Sequence, residues 1–405
     1  MSCDACGPSP TNHRVDWFVN YTTDVLDIVD RFGYRVGRSG GARARAMAVA
    51  VRRALLWMGE RLRVLHWEST DASALPSRIR LVVERVQIRG WRVERLRCLG
   101  QRMHIFRASR EAAAHRYWEV LPRGNTRIRE SIIDDKALVK HCLAQAGIPV
   151  PHWRVVRTVR DARRAAQAIR YPLVVKPRSG SLSRHTTVGV CDEGALVTAF
   201  RSAQMLDWKV LLEEQLPGAV YRATIVAGRC AAVCRRLPPS VTGDGKRTIA
   251  ELLVERNADA RRGARGDVRS THHQFHGDET TIEILRTQGK MWSSVPAAGE
   301  RVDLHEKVTL GYGCDIEDVT DVVHAETREL FVRIAETLGA DLVGIDFIIP
   351  EIRQSWRAQR CGVIECNTLP SIDMHHAPTH GTPRDVAGAL VDILLRDQGH
   401  ERRRG

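Results

Sequence analysis

The chain has 405 residues, 43% of them hydrophobic, and a formal net charge of +14 from 62 Lys and Arg against 48 Asp and Glu. That length suggests two or three domains, and the apolar content is enough for ordinary cores. No apolar stretch reaches the roughly 18 residues of a membrane span, since Arg52 and Arg53 interrupt Ala46 to Met58, and the first twenty residues lack a secretory apolar core.

The ten scattered cysteines lack the density of a disulfide-stapled secreted scaffold, so the expected location is cytoplasmic. Cys3 and Cys6 stand alone at CxxC spacing, with no second pair for a zinc ribbon, and read as part of an N-terminal tail. Residues 1–130 hold 24 Arg, no Lys and 13 Asp plus Glu, an excess of 11 positive charges. Ala42 to Trp67 reads as a basic amphipathic helix with Met47, Val51, Leu55, Met58 and Leu62 on one side. The unit 1–125 is predicted to be a helical, basic domain that meets an acidic substrate or partner. Nucleic acid is not expected, because no recognition helix or aromatic interleaving accompanies the arginines.

Only seven lysines occur against 55 arginines, so the places that keep lysine are informative. A helix beginning near Asp134 carries Lys136 and stops at Gly147, followed by Pro149 and Pro151. A helix over 160–169, the strand Leu173-Val174-Val175, a polar loop over 177–187, a helix over 194–204 and the strand Val210-Leu211-Leu212 complete an α+β unit, 126–216. Lys176 ends one strand before RSGSLS, where backbone N–H groups of a loop can cradle phosphate. In LLEEQLPG the backbone past the strand can read an adenine edge while Glu213 accepts hydrogen bonds.

The unit 217–400 mixes strands (223–227, 230–234, 342–349, 362–366) with helices near 248–256, 324–338 and 384–396, and 257–280 reads as a loop. In Gly362–Asn367, Glu365 and Asn367 lie two apart and share a strand face. Asp346 is a lone carboxylate in the apolar run 341–350, costly unless paired or metal-bound. Two antiparallel strands would bring Asp346, Glu365 and Asn367 into an all-oxygen cluster suited to magnesium; the alternative is three edge residues facing water.

The succession DK, GIPVP, VVKP, LLEEQLPG, YR, GDGKRTIAELL, DVTDVVH, GIDFII and VIECN resembles the ATP-grasp ligases. It is most similar to the ATP-grasp part of cyanophycin synthetase and of bifunctional glutathione-forming enzymes, over residues 130–396. The resemblance implies an α+β fold of two lobes sandwiching ATP, preceded by the basic N-terminal domain. It also implies an amide- or peptide-forming ligase acting on an amino acid or peptide through an acylphosphate, with ATP and Mg2+, or Mn2+ in its place. Lys136, Lys176 and Ser181 would contact ATP phosphates, and Glu213, Glu214 and Leu216 would line the adenine pocket. Asp346, Glu365 and Asn367 would hold the metal, Arg222 and Lys246 would serve catalysis, and Met374 and His375 would meet substrate. The chain departs from the pattern at Val220, where relatives place an acid, in the glycine-poor loop after Lys176, and at His305, which stands in an arginine position. A glutathione-synthase-like ligase and a non-catalytic nucleotide-binding scaffold are the alternatives. A homo-oligomer stays open, as does a zinc site made by His272, His273, His276, His375, His376 and His380.

Overall fold

The computed structural model describes residues 61, 64–98, 100–110, 114–122, 133, 135–179 and 183–396. Its first elements are β1 Leu65–Ser69, α1 Ser77–Ile88, β2 Arg92–Cys98, β3 Gln101–Arg110 and β4 Ala114–Glu119, the strands forming one antiparallel sheet in the order β1-β2-β3-β4. Among the described residues of the unit expected to be helical, 64–122 form instead this sheet with α1 packed on it. Phe106 and Ala108, two apart and both buried, show the strand period that decides this. The end of the predicted amphipathic helix, Leu65 to Trp67, is strand. Its stretch from Ala42 to Glu60 and the Cys3–Cys6 pair lie outside the described residues.

α2 Lys136–Gln145 begins at Asp135, whose Oδ1 accepts the N–H groups of Ala137 and Leu138. It ends at Gly147, whose φ of +69° suits glycine. The smaller lobe follows: β5 Trp153–Val156, α3 Val159–Ile169, β6 Leu173–Pro177, β7 Thr187–Val190, α4 Glu193–Gln204 and β8 Val210–Glu214. Its sheet runs β5-β8-β6-β7. Ala162 and Ala166 of α3 and Leu196 and Phe200 of α4 pack on Leu173, Val175, Val210 and Leu212. Period-two alternation then turns Lys176 and Glu213 to the opposite, open face.

The larger lobe opens with β9 Ala219–Val226 and β10 Arg229–Leu237. An excursion follows with β11 Ser240–Thr242, α5 Ile249–Asn257, β12 Arg262–Gly263, β13 His272–His273, α6 Glu279–Thr287 and β14 Arg301–Asp303. The chain returns through β15 Asp315–Asp318, α7 Ala325–Leu338, β16 Leu342–Ile349, β17 Gly362–Asn367, the short α8 Asp373–His376 and α9 Val386–Leu395. The main sheet is antiparallel in the order β15-β10-β9-β16-β17. Tyr221, Ala223, Ile225, Val343, Ile345 and Phe347 face Leu330, Phe331 and Ile334 of α7, and Val139 and Leu143 of α2 join the same core. By packing, α2 thus attaches to the larger lobe although it precedes the smaller one.

Residues 257–280, expected as a loop, carry buried Arg262, His272 and Phe275. The Arg262 guanidinium pairs with Asp315, and Phe275 enters a core with Val241, Leu252 and Val302, which secures the segment. The N-terminal sheet is also anchored: Phe106, Trp118, Val82 and Val86 share one cluster with Val226, Leu342, Ile372 and Leu390.

Candidate active site

A cavity of about 920 Å³ lies between the lobes, walled by Lys176 and Glu213 of the smaller lobe and by Asp346, Ile364 and Glu365 of the larger lobe together with Lys136 of α2. On the small-lobe wall Val174 is registered opposite Glu213, so Lys176 stands diagonal to Glu213 on the same face. Lys176 Nζ lies 2.8 Å from Glu213 Oε2, and Lys140 Nζ lies 2.9 Å from Glu213 Oε1. Both carboxylate oxygens are therefore taken by lysines, so Glu213 sets the lysines instead of offering a free oxygen to a base. Burial alone would raise the Glu213 carboxyl, yet Lys140 and Lys176 hold it below its ordinary range. Lys140, absent from the sequence expectations, is completely buried and also donates to the Ile364 carbonyl at 2.5 Å. Burial pushes its ammonium down to about 8 against the pull of Glu213. The spacing DKALVK places it one turn from Lys136 on the same helix face, which is the signal that could have found it.

On the large-lobe wall Asp346 is registered between Arg222 of β9 and Glu365 of β17. Arg222 grips Asp346 in bidentate fashion, Nε to Oδ1 at 2.6 Å and Nη2 to Oδ2 at 2.8 Å, and Arg236 Nη2 adds a contact to Oδ1 at 3.0 Å. Burial would raise the Asp346 carboxyl, but Arg222 and Arg236 keep it below the usual range. The β16–β17 register steps from Phe347–Val363 to Asp346–Glu365, leaving Ile364 as an extra residue. This bulge lets Val363 and Cys366 both enter the core while Glu365 and Asn367 share the other face, as their spacing predicts. Glu365 Oε1 is 3.6 Å from Lys136 Nζ, and the buried Asn367 Nδ2 has no hydrogen-bond partner among the described residues.

These donors are all oxygens, which fits a hard divalent cation better than a thiophilic one. Glu365 is the most available of the three, since two guanidinium groups already hold Asp346 and Asn367 stands behind the cavity lining. Among the described residues, no group of three or more His, Cys, Asp or Glu is arranged to hold a metal. Three histidines of the zinc alternative bond elsewhere: His272 to the Ala377 carbonyl, His273 Nδ1 with the Ala264 carbonyl at 3.2 Å, and His376 to the Ala387 N–H at 3.0 Å.

The remaining expected residues divide. Leu216 and Glu214 line the cavity, with Glu214 also accepting the His152 N–H at 3.2 Å and pairing with Arg360. Arg222 reaches it only through Asp346. Lys246 does not line it; it is exposed in a turn whose backbone N–H bonds Asp244 Oδ1 at 2.9 Å. Met374 and His375 are buried away from the cavity lining, Met374 beside Cys234 and His375 Nε2 2.8 Å from Thr224 Oγ1. Burial lowers the His375 imidazole to about 3, which keeps it neutral. Ser181 lies outside the described residues. Arg236 was missed because only the sheet register aims it at Asp346. At the far end His305 is buried: its Nδ1 accepts the Lys307 N–H at 2.9 Å, and its ring lies 5.0 Å from that of Tyr312.

Two α+β lobes closing on a cavity, with Lys176 on the small-lobe wall, Lys136 on α2 and two carboxylates on the large-lobe wall, define an ATP-grasp fold. No family model matches the sequence. The chain is 32% identical over 265 residues to cyanophycin synthetase of Trichormus variabilis, covering 65% of this chain and 29% of that protein. It is 31% identical over 300 residues to the glutathione biosynthesis bifunctional protein of Mannheimia succiniciproducens, covering 69% and 38%. The crystal structure of a bifunctional glutathione synthetase from Pasteurella multocida aligns with a TM-score of 0.55 and 27% identity over 72% of this chain and 40% of that one. The chain is similar to these relatives over about two thirds of its own length and spans less than half of theirs.

Proposed function

We propose that the chain is an ATP-dependent carboxylate–amine ligase that forms an amide or peptide bond on an amino acid or short peptide. The observation that carries this reading is the pairing of Lys176 and Lys140 on Glu213, opposite Asp346 and Glu365, across one cavity. Lys136 and Lys176 would meet the phosphates and Leu216 the adenine. Glu365, Asn367 and Asp346 would hold Mg2+, or Mn2+ in its place, which when bound neutralises charge on the phosphates. A substrate carboxylate oxygen attacks the γ-phosphorus; the new O–P bond forms as the β–γ bridge breaks, and ADP leaves. The amine nitrogen then attacks the acyl carbon, the C–O bond to phosphate breaks, and the amine proton passes to phosphate or water. Arg236, on the cavity wall, offers guanidinium N–H groups to the oxyanion of that step, while Arg222 acts only by holding Asp346 in place. The reading includes a cytoplasmic location and no nucleic-acid partner.

The test is ADP release from the purified chain across a panel of amino acids and short peptides, with mass spectrometry of products. Release that requires both a carboxylate and an amine, with a new amide in the product, is expected. ATP binding without turnover under every pairing would favour the scaffold alternative. The likeness to the Pasteurella glutathione synthetase favours one second reading, tested by the glycine plus γ-glutamyl-peptide arm of the same panel.

A further inference from the structure

Lys140 stands where three parts of the molecule meet. Its helix, α2, is packed into the core of the larger lobe through Val139 and Leu143. Its ammonium reaches Glu213 of the small-lobe strand β8 at 2.9 Å and the Ile364 carbonyl of the large-lobe strand β17 at 2.5 Å. Ile364 is the bulged residue immediately before Glu365, and Glu213 is the partner of Lys176 at 2.8 Å. One side chain therefore ties the lysine of one wall to the carboxylate of the other.

The charges give this tie a direction. Lys140 and Lys176 against Glu213 leave one positive charge in excess in a buried cluster, while Lys136 and Glu365 offset each other beside it. The groups facing Lys140 are Glu213 from β8, Lys176 from β6, and Glu365 and Cys366 from β17. A buried unbalanced charge is costly, and an anion removes the cost. A lysine in this place is also chemically apt, since a compact ammonium can serve a carboxylate and a carbonyl at once, whereas a planar guanidinium needs more room.

We propose that Lys140 is a positioning residue: it holds Glu213, and through it Lys176, in register with β17, so that the cavity is pre-set for the phosphates of a nucleotide. This deepens the ligase reading and rests on its nucleotide site, although Lys140 itself touches neither phosphate nor substrate. The test uses the full chain, with ATP affinity measured by calorimetry and Michaelis constants for ATP and for the amine.

Lys140→Met is expected to weaken ATP binding at least about tenfold while the amine constant stays within about twofold, a split that a general loss of structure would not produce. Glu213→Gln should weaken ATP binding similarly. The double variant should bind no more weakly than the worse single one, because both act through one chain of contacts. Wild-type ATP affinity in Lys140→Met, or effects of the two substitutions that multiply, would overturn the inference. Should Lys140→Met fail to fold, Glu213→Gln decides alone: weakened ATP binding supports the inference and unchanged binding overturns it. A wild-type chain that binds no ATP would instead overturn the ligase reading itself.

Discussion

Gly344 shows how narrowly the charged wall is fitted. A β-carbon there would lie 2.7 Å from Pro370 Cβ and 3.1 Å from Arg222 Nη1, so the absent side chain is the space that Arg222 occupies on its way to Asp346. Gly344→Val is therefore expected to displace Arg222 and to destabilise the fold by about 1–3 kcal/mol, the range for overpacking. Urea unfolding measures the second effect, and ligase turnover, which should fall at least about tenfold, the first. Glu365 is different, since its nearest ion partner is Lys136 at 3.6 Å. Glu365→Gln keeps the shape and removes one charge, so turnover should drop by about two orders of magnitude with the unfolding midpoint nearly unchanged. Full activity of that variant in the presence of chelator would exclude a metal role for Glu365.

At the scale of elements, α2 has a start defined by one residue with two tasks. Asp135 caps the helix through Oδ1 and is gripped by Arg178, whose Nε lies 3.1 Å from the same oxygen. Helix α2 is thereby joined to the end of β6, where Lys176 sits. Asp135→Ala should cost about 1–2 kcal/mol from the lost cap alone. It should also weaken nucleotide binding, because Lys136 is the next residue. Thermal unfolding with and without ATP separates the two, since the ligand-induced rise in midpoint should shrink as well as the midpoint itself. The bulge at Ile364 is the second defining element. Strict alternation would have put Val363 on the same face as Glu365, and the extra residue lets an apolar and an acidic side chain each find its proper side.

For the whole molecule, four buried or largely buried histidines, His272, His305, His375 and His376, set an acid limit. Burial lowers all four, His375 to about 3, so the folded state binds their protons less readily than the unfolded chain. Their contribution is complete above the ordinary imidazole range of about 6.5 and is lost as pH falls below it toward the folded values. The urea midpoint should therefore decline between about pH 6.5 and 4.5 more steeply than carboxylate titration alone would give. A His375→Gln variant should show a shallower decline, and an unchanged slope would remove His375 from the account. Much of this protein was legible in its chain: the strand carrying Lys176 and the shared face of Glu365 and Asn367 follow from period-two alternation, which is local, and the expected pairing of their strand with that of Asp346 is the register observed. Residues 64–122 of the Arg-rich N-terminal unit were misread because abundance of arginine is compositional, whereas the burial of Phe106 and Ala108 depends on α1 packing above them. The Glu213 and Ile364 partners of Lys140, the aim of Arg236 and the displacement of Met374 and His375 from the cavity were decided by tertiary structure alone. Each depends on which distant strand lies opposite, and the low dielectric of a shared core, not spacing along the chain, makes those charges seek those partners.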